Sequence, residues 1–240
     1  MYEKIKKSVS NSIELWKRVW GDSLQSAYLY GSAAREGWSS KTSDINILLL
    51  VDSGQYEKWP EAAEVVKRKL KGGFAVPLIL SENYVRSSLD VYPMEFLDIK
   101  LWHEVLHGND FFADLTIEPS DLRIQAEREI KGKWVQLRQA ALESGSNTTA
   151  MRNLLAMTVP TWNSVFQALL VISGDSVPTD RLELIEKGSA VAGVDAEVFK
   201  RVYSVRHERN ALGRTGAWEL LRSTLLQVDL LARYVDGWQS

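Results

Sequence analysis

Two kinds of apolar and polar pattern follow one another along the chain. Up to about residue 116, helical stretches alternate with short apolar runs that end at glycine or polar residues. Apolar side chains recur at steps of three and four over residues 2–20, which predicts an amphipathic helix ending at Gly21. Residues 56–70 also have helical composition. The predicted strands cover residues 24–30, 45–51, 74–80 and 91–99.

The second half of the chain has the apolar spacing of helices throughout. The predicted helices cover residues 119–143, 151–172, 180–192, 195–206 and 215–238. Thr148 or Thr149 is the expected N-cap of the second of these helices. We therefore expect an α+β protein, with a sheet domain over residues 1–112 and an all-helical domain over residues 113–240.

Composition removes several classes of function. The 240 residues include no cysteine, which excludes disulfides, thiolate metal sites and cysteine nucleophiles. A formal net charge of -2 gives no overall basic field, so a nucleic-acid partner is not expected. No uninterrupted apolar run reaches the roughly 18–20 residues of a membrane span, and no signal-peptide pattern is present. A cytoplasmic protein with no membrane partner is the expectation.

The candidate chemistry lies between the first two predicted strands. The first strand ends in Gly31-Ser32, and the second begins with Asp44-Ile45-Asn46 before a fully apolar run to residue 51. Side chains two apart on a strand share a face, so Asp44 and Asn46 are predicted to project together. The main-chain N–H groups of a glycine-serine turn can hold a phosphate.

This stretch resembles the nucleotidyltransferase superfamily, which includes DNA polymerase beta and the aminoglycoside adenylyltransferases, and it is closest in pattern to the latter. The residues that match the signature are Gly31, Ser32, Arg35, Gly37, Ser43 and Asp44. The resemblance implies an N-terminal mixed β-sheet with flanking helices, followed by a C-terminal helical bundle. It also implies transfer of a nucleotidyl group, from ATP or another nucleoside triphosphate, to a hydroxyl of an unidentified small-molecule or protein acceptor.

The resemblance further assigns roles to individual residues. It places the nucleotide on Gly31, Ser32, Arg35 and Ser43, and Mg²⁺ on Asp44, Asn46 and a third side chain from a later strand. Glu95, within the predicted strand 91–99, is our candidate for that third ligand and, with Asp44, for a catalytic carboxylate. Asp98 ranks second because it should face the opposite side of a regular strand from Glu95.

Asn46 departs from the signature, which has a second aspartate at this position. The amide offers a neutral oxygen, so a two-metal site loses its bridging carboxylate. Three outcomes stay open: one metal held by Asp44 and Glu95, nucleotide binding without turnover, or a scaffold with neither property. A regulatory, antitoxin-like protein is the remaining alternative, since Arg201 and His207 have the spacing of a ribonuclease motif found in helical partner domains.

One pair of histidines has the spacing of a metal site. His103 and His107 are four residues apart, as zinc-binding pairs on a helix are, but no third ligand accompanies them. We interpret both as surface or packing residues.

Overall fold

The computed structural model describes residues 2–35, 44–68, 73–145, 147–207 and 213–238. The chain divides into two compact units. The sheet unit comprises Met1–Leu89 and Glu95–Ile117, and the helical unit comprises Asp90–Met94 and Glu118–Ser240. The main division along the chain therefore falls after residue 117, whereas the sequence analysis places it after residue 112.

The order of elements follows the two patterns read from the sequence. The sheet unit contains α1 (Tyr2–Trp20), β1 (Leu24–Tyr30), β2 (Asn46–Val51), α2 (Trp59–Arg68), β3 (Leu78–Leu80), α3 (Glu82–Ser87), most of α4 (Pro93–Leu101) and β4 (His103–His107). The helical unit contains α5 (Pro119–Ser144), α6 (Thr148–Ile172), α7 (Arg181–Ala192), α8 (Ala196–His207) and α9 (Arg214–Asp236). The fold is therefore α+β, as predicted.

The sheet is mixed, and the strand order is β3-β2-β1-β4. β1 pairs antiparallel with both β2 and β4, while β2 pairs parallel with β3. β2 thus has a paired strand along each edge, and its alternate residues are buried in cores on both faces of the sheet, which explains its unbroken apolar run from Ile47 to Val51.

Each face of the sheet packs against helices, and alternate residues of β2 serve opposite faces. Ile47 and Leu49 join α1 and α2 in a core that includes the fully buried Trp16 and Trp20. On the other face, the core residues are Tyr28, Leu48, Leu50, Val85, Phe96, Ile99, Phe111, Phe112 and Leu115. This second core fixes α3, α4 and the segment after β4 on one side of the sheet.

The helical unit has a core centred on α6. Within the described residues, α6 is the one helix long and apolar enough to cross a membrane by length and composition, but 56% of its most apolar window is buried. That burial is typical of the core helix of a soluble domain. The N-cap of α6 is Asn147, whose side chain accepts a hydrogen bond from the Ala150 N–H at 3.0 Å, and not Thr148 or Thr149 as predicted.

The predicted strand over residues 91–99 is wrong, because this segment forms helix α4. Pro93 is the first residue of α4, a position where the missing N–H costs no hydrogen bond, and it does not mark an edge strand. The predicted strand over 74–80 is shortened to β3, with one isolated bridge between Ile45 and Phe74. Helix α3 and strand β4 were not predicted.

Candidate functional site

The candidate site lies at the end of the sheet where β1 stops and its two neighbours start. Tyr30, the last residue of β1, pairs with Asn46 at the start of β2 and with His103 at the start of β4. The next residue, Gly31, donates its N–H to the Trp102 carbonyl at 3.2 Å. Three segments of the chain therefore converge on the glycine-serine turn predicted from the sequence.

Gly31 opens a short 3-10 turn, Gly31–Ala34, that follows β1. Its φ of +72° lies in the left-handed region, which strongly favours glycine. A β-carbon at position 31 would lie 3.3 Å from the Asn46 Nδ2 atom. The absence of a side chain thus lets the turn pack closely against Asn46.

Asp44 and Asn46 flank Ile45, whose side chain is buried and whose main chain forms the bridge to Phe74. An extended segment directs these two polar side chains to the side opposite Ile45. Asn46 shares the face of Leu48 and Leu50, which is the face covered by α4. Asp44 is exposed and Asn46 is half-buried. Ser43 and Gly37 lie outside the described residues.

The helical conformation of α4 changes the relationship between the two candidate carboxylates. Glu95 and Asp98 are three residues apart, so they lie on the same face of the helix and not on opposite faces of a strand. Trp102, which follows the helix, continues this face one turn after Asp98. Glu95 is exposed, and Asp98 is half-buried.

Asp98 forms an ion pair with Arg35, the residue that follows the Gly31–Ala34 turn. The Arg35 Nη2 atom lies 2.5 Å from Asp98 Oδ1, and the guanidinium stacks on the Trp102 ring at 4.3 Å from its centroid. Only 5% of the Arg35 side chain is exposed. Sequence reasoning ranked Asp98 second and missed Trp102. The i, i+4 spacing of these two residues identifies them as neighbours once the segment is read as a helix.

The pKa of Tyr30, at the same end of the sheet, is affected by the charge of Asp98. Burial raises the pKa of the Tyr30 phenol above its ordinary value of 10.0, and the negative charge of Asp98 raises it further. The phenol therefore stays protonated at neutral pH and presents a hydroxyl, not an anion, beside Asp98.

The residues present fit one magnesium ion but not a two-metal cluster. Across the described parts of the chain, no group of three or more His, Asp or Glu side chains could hold a metal ion together. Asp44 offers one exposed carboxylate, Asn46 offers a neutral oxygen, and Asp98 is paired with Arg35. Mg²⁺ commonly binds one or two carboxylates and fills its remaining positions with water and substrate phosphates, which suits this donor set.

His103 and His107 lie on strand β4, where their spacing does not form a helical metal pair. The His103 Nδ1 atom lies 2.8 Å from the Ile99 carbonyl, and its Nε2 atom lies 3.0 Å from Asp110 Oδ1. Its ring also contacts the ring of Tyr28 edge-on. These contacts agree with the interpretation of His103 as a packing residue.

Comparison with solved structures gives the same fold. No protein-family model matches the sequence, and no curated protein matches it either. The crystal structure of spectinomycin adenyltransferase AAD(9) from Enterococcus faecialis, with ATP and spectinomycin, matches over 97% of this chain and 99% of that chain. The TM-score is 0.54 and the sequence identity is 12%. The chain therefore has the same fold as this spectinomycin adenyltransferase.

Proposed function

We propose that this protein binds a nucleoside triphosphate at the Gly31–Ala34 turn and transfers its nucleotidyl group to a hydroxyl of a small-molecule acceptor. One observation carries the proposal: the left-handed Gly31 turn is enclosed between Asn46, which starts β2, and Trp102, which precedes β4. We assign the phosphate to main-chain donors of this turn and the cation to the side-chain oxygens of Asp44 and Asn46, of which Asn46 adjoins Gly31. Phosphate and a hard cation need these two kinds of group side by side.

The structural neighbour supports the proposed substrates. Its structure contains ATP and spectinomycin, a nucleoside triphosphate and a small molecule. Its fold covers nearly the whole of both chains, so the likeness extends beyond the turn and its two strands. ATP is accordingly the first nucleotide to test, and hydroxyl-bearing small molecules are the first acceptors.

The proposed nucleotide contacts come from the turn and from the segment before β2. The Ser32 main-chain N–H binds a phosphate oxygen, since the Gly31 N–H already donates to the Trp102 carbonyl, and the sequence assigns the Ser43 hydroxyl as a further donor. Asp44 and Asn46 hold one Mg²⁺ by their side-chain oxygens. When bound, this ion neutralises the triphosphate and makes the α-phosphorus more electrophilic. The protein's part is to orient the triphosphate so that the acceptor oxygen attacks in line with the leaving group.

The proposed reaction is a substitution at phosphorus. The acceptor oxygen forms a bond to the α-phosphorus, the bond to the bridging oxygen breaks, and pyrophosphate leaves. Glu95 is exposed on the first turn of α4, and we assign it, with Asp44, to accept the proton that the hydroxyl loses. Asp98, the second-ranked carboxylate, accepts a hydrogen bond from Arg35.

Asn46 favours a second candidate function, nucleotide binding without turnover. The amide cannot bridge two cations as an aspartate does, and the site then lacks the second positive charge that stabilises the leaving pyrophosphate. Such a protein would sense a nucleotide through the same turn and metal ligands. The two candidates share the binding step and differ only in the chemical step.

The test measures binding and turnover separately. Thermal unfolding with MgATP, compared with Mg²⁺ or ATP alone, measures binding, and we expect the midpoint to rise only with the complete pair. Release of pyrophosphate in the presence of a hydroxyl-bearing acceptor panel then measures transfer. Binding with release supports the transferase, and binding without release supports the sensor. No effect of MgATP on the wild-type protein would overturn both.

A further inference from the structure

We infer that Arg35 is a positioning residue, which holds the phosphate-binding turn against α4 and does not itself bind the nucleotide. This inference rests on the proposed function, because the turn in question is the proposed phosphate site. It replaces the role that the family resemblance gives Arg35, which is direct contact with the phosphates.

The guanidinium of Arg35 is already contacted by two side chains. Asp98 accepts from Nη2, and the Trp102 ring covers one face of the group. Stacking on an aromatic face and pairing with a carboxylate are the two contacts for which arginine is better suited than lysine. With 5% of its side chain exposed, Arg35 offers little surface to an incoming triphosphate.

Trp102 contacts both ends of the turn. Its main-chain carbonyl accepts the Gly31 N–H at 3.2 Å, at the start of the turn. Its ring stacks against the guanidinium of Arg35, the residue just after the end of the turn. The Arg35 N–H also donates to the Ser32 carbonyl at 3.3 Å, which closes the turn on itself. The conformation of Gly31–Ala34 is therefore fixed from the α4–β4 junction.

Asp98 pairs with Arg35 and completes a clamp of three residues, Arg35, Asp98 and Trp102. If Arg35 were a phosphate ligand, Asp98 would compete with the triphosphate for the same guanidinium. Removing the charge of Asp98 would then leave nucleotide affinity unchanged or increase it. If Arg35 positions the turn, removing Asp98 loosens the turn and lowers the affinity. The two roles therefore predict opposite effects of one substitution.

The experiment measures MgATP affinity by calorimetry for the wild-type protein and for Arg35→Met, Asp98→Asn and the double variant. The measurements are made at a temperature where circular dichroism shows each variant to be folded. We expect each single variant to weaken MgATP binding about tenfold or more, equivalent to ~1.4 kcal/mol. We expect the double variant to lose little beyond either single one, because both remove the same clamp. Arg138→Met is the matched control, since Arg138 stacks on Trp134 in α5, 4.4 Å from the ring centroid.

Each outcome has one meaning. Unchanged or tighter binding in Asp98→Asn, with weaker binding in Arg35→Met, makes Arg35 a phosphate ligand and overturns the inference. A lower melting temperature with unchanged affinity in both variants makes the clamp purely structural and also overturns it. If the wild-type protein binds no nucleotide, the proposed function fails. If the wild-type protein binds MgATP and both variants bind it equally well, only the inference about Arg35 fails.

Discussion

Asn46 lies directly beside Gly31, and its Nδ2 atom is 3.3 Å from the position that a β-carbon of residue 31 would occupy. This contact connects two features that are separate in the sequence: the proposed phosphate-binding turn, and Asn46, which replaces the second aspartate of the family signature. It exists because Tyr30 and Asn46 are register partners in the antiparallel pair of β1 and β2. A change at either residue is therefore expected to affect both phosphate and cation binding.

Gly31→Ala is expected to destabilise the sheet unit and to abolish measurable MgATP binding. An alanine at a φ of +72° costs about 1–2 kcal/mol of unfolding free energy, and its methyl group would also press on Asn46. The matched control is Gly54→Ala, at a φ of +83° with no atom within 4 Å of the new β-carbon. Chemical denaturation and calorimetry check both variants. Equal loss of MgATP affinity in the two variants would mean that general backbone strain, and not the turn, governs binding.

Asn46→Asp is expected to strengthen binding of divalent cations. The substitution places a second carboxylate two residues from Asp44, and a second anionic ligand at this half-buried position is worth about tenfold in affinity, or ~1.4 kcal/mol. In the absence of metal, the two carboxylates repel each other, so the melting temperature should fall and recover when Mg²⁺ is added. The measurement is a Mg²⁺ titration followed by thermal unfolding.

Gln25→Glu provides the control for this prediction at the other end of the sheet. The Gln25 Nε2 atom donates to Asp52 Oδ1 at 3.1 Å, so this variant also turns a neutral amide beside an aspartate into a carboxylate. A cation effect as large as that of Asn46→Asp would show that any carboxylate pair on this protein attracts Mg²⁺. The site at Asp44 would then have no special affinity.

The phenol of Tyr30 is expected to ionise above its ordinary range, and Asp98→Asn is expected to lower its pKa. Burial, assisted by the charge of Asp98, raises that pKa above 10.0, and the amide of the variant removes the second cause. The folded protein holds this proton more tightly than the unfolded chain does. The stabilisation from Tyr30 is therefore complete below pH ~10 and is lost as the pH rises through the folded-state pKa.

Difference absorbance between the wild-type protein and Tyr30→Phe isolates this titration from those of the other tyrosines. The same difference in an Asp98→Asn background measures the contribution of Asp98. A titration of Tyr30 at its ordinary pKa in both backgrounds would place the phenol in solvent, away from the carboxylate.

Elements were predicted correctly where residues within or next to the segment determine its structure. Helix α1 and strand β1 have the predicted limits, because glycine ends the first and a glycine-serine turn ends the second. The segment 91–99 was misread because its mostly apolar composition fits a buried strand and a buried helix equally well. The short strand β4 lies at the edge of the sheet and contains both polar and apolar residues. Its sequence has no apolar periodicity that would predict a strand.

In the candidate site, too, the features specified by neighbouring residues were predicted, and those that depend on distant residues were not. The signature residues from Gly31 to Asp44 are close in sequence, so their spacing predicted the turn and the strand that follows it. The ion pair of Arg35 and Asp98 spans 63 positions of the chain. It depends on the packing of α4 on the sheet, which no local pattern specifies. The contacts of Arg35 therefore could not be predicted from the sequence.

Two glycine substitutions are expected to shift the stability of the helical unit in opposite directions. Gly188 lies where α7 packs on α6, and a β-carbon there would be 2.5 Å from the Phe166 β-carbon. Gly188→Ala forces these helices apart, with an expected cost of about 1–3 kcal/mol. Gly132 lies inside α5 with no atom within 4 Å of a new β-carbon, so Gly132→Ala gains about 0.5–1 kcal/mol from helix propensity alone. Urea unfolding followed by circular dichroism measures both changes. A Gly188→Ala variant as stable as Gly132→Ala would show that α6 and α7 do not pack as closely as Phe166 and Gly188 indicate.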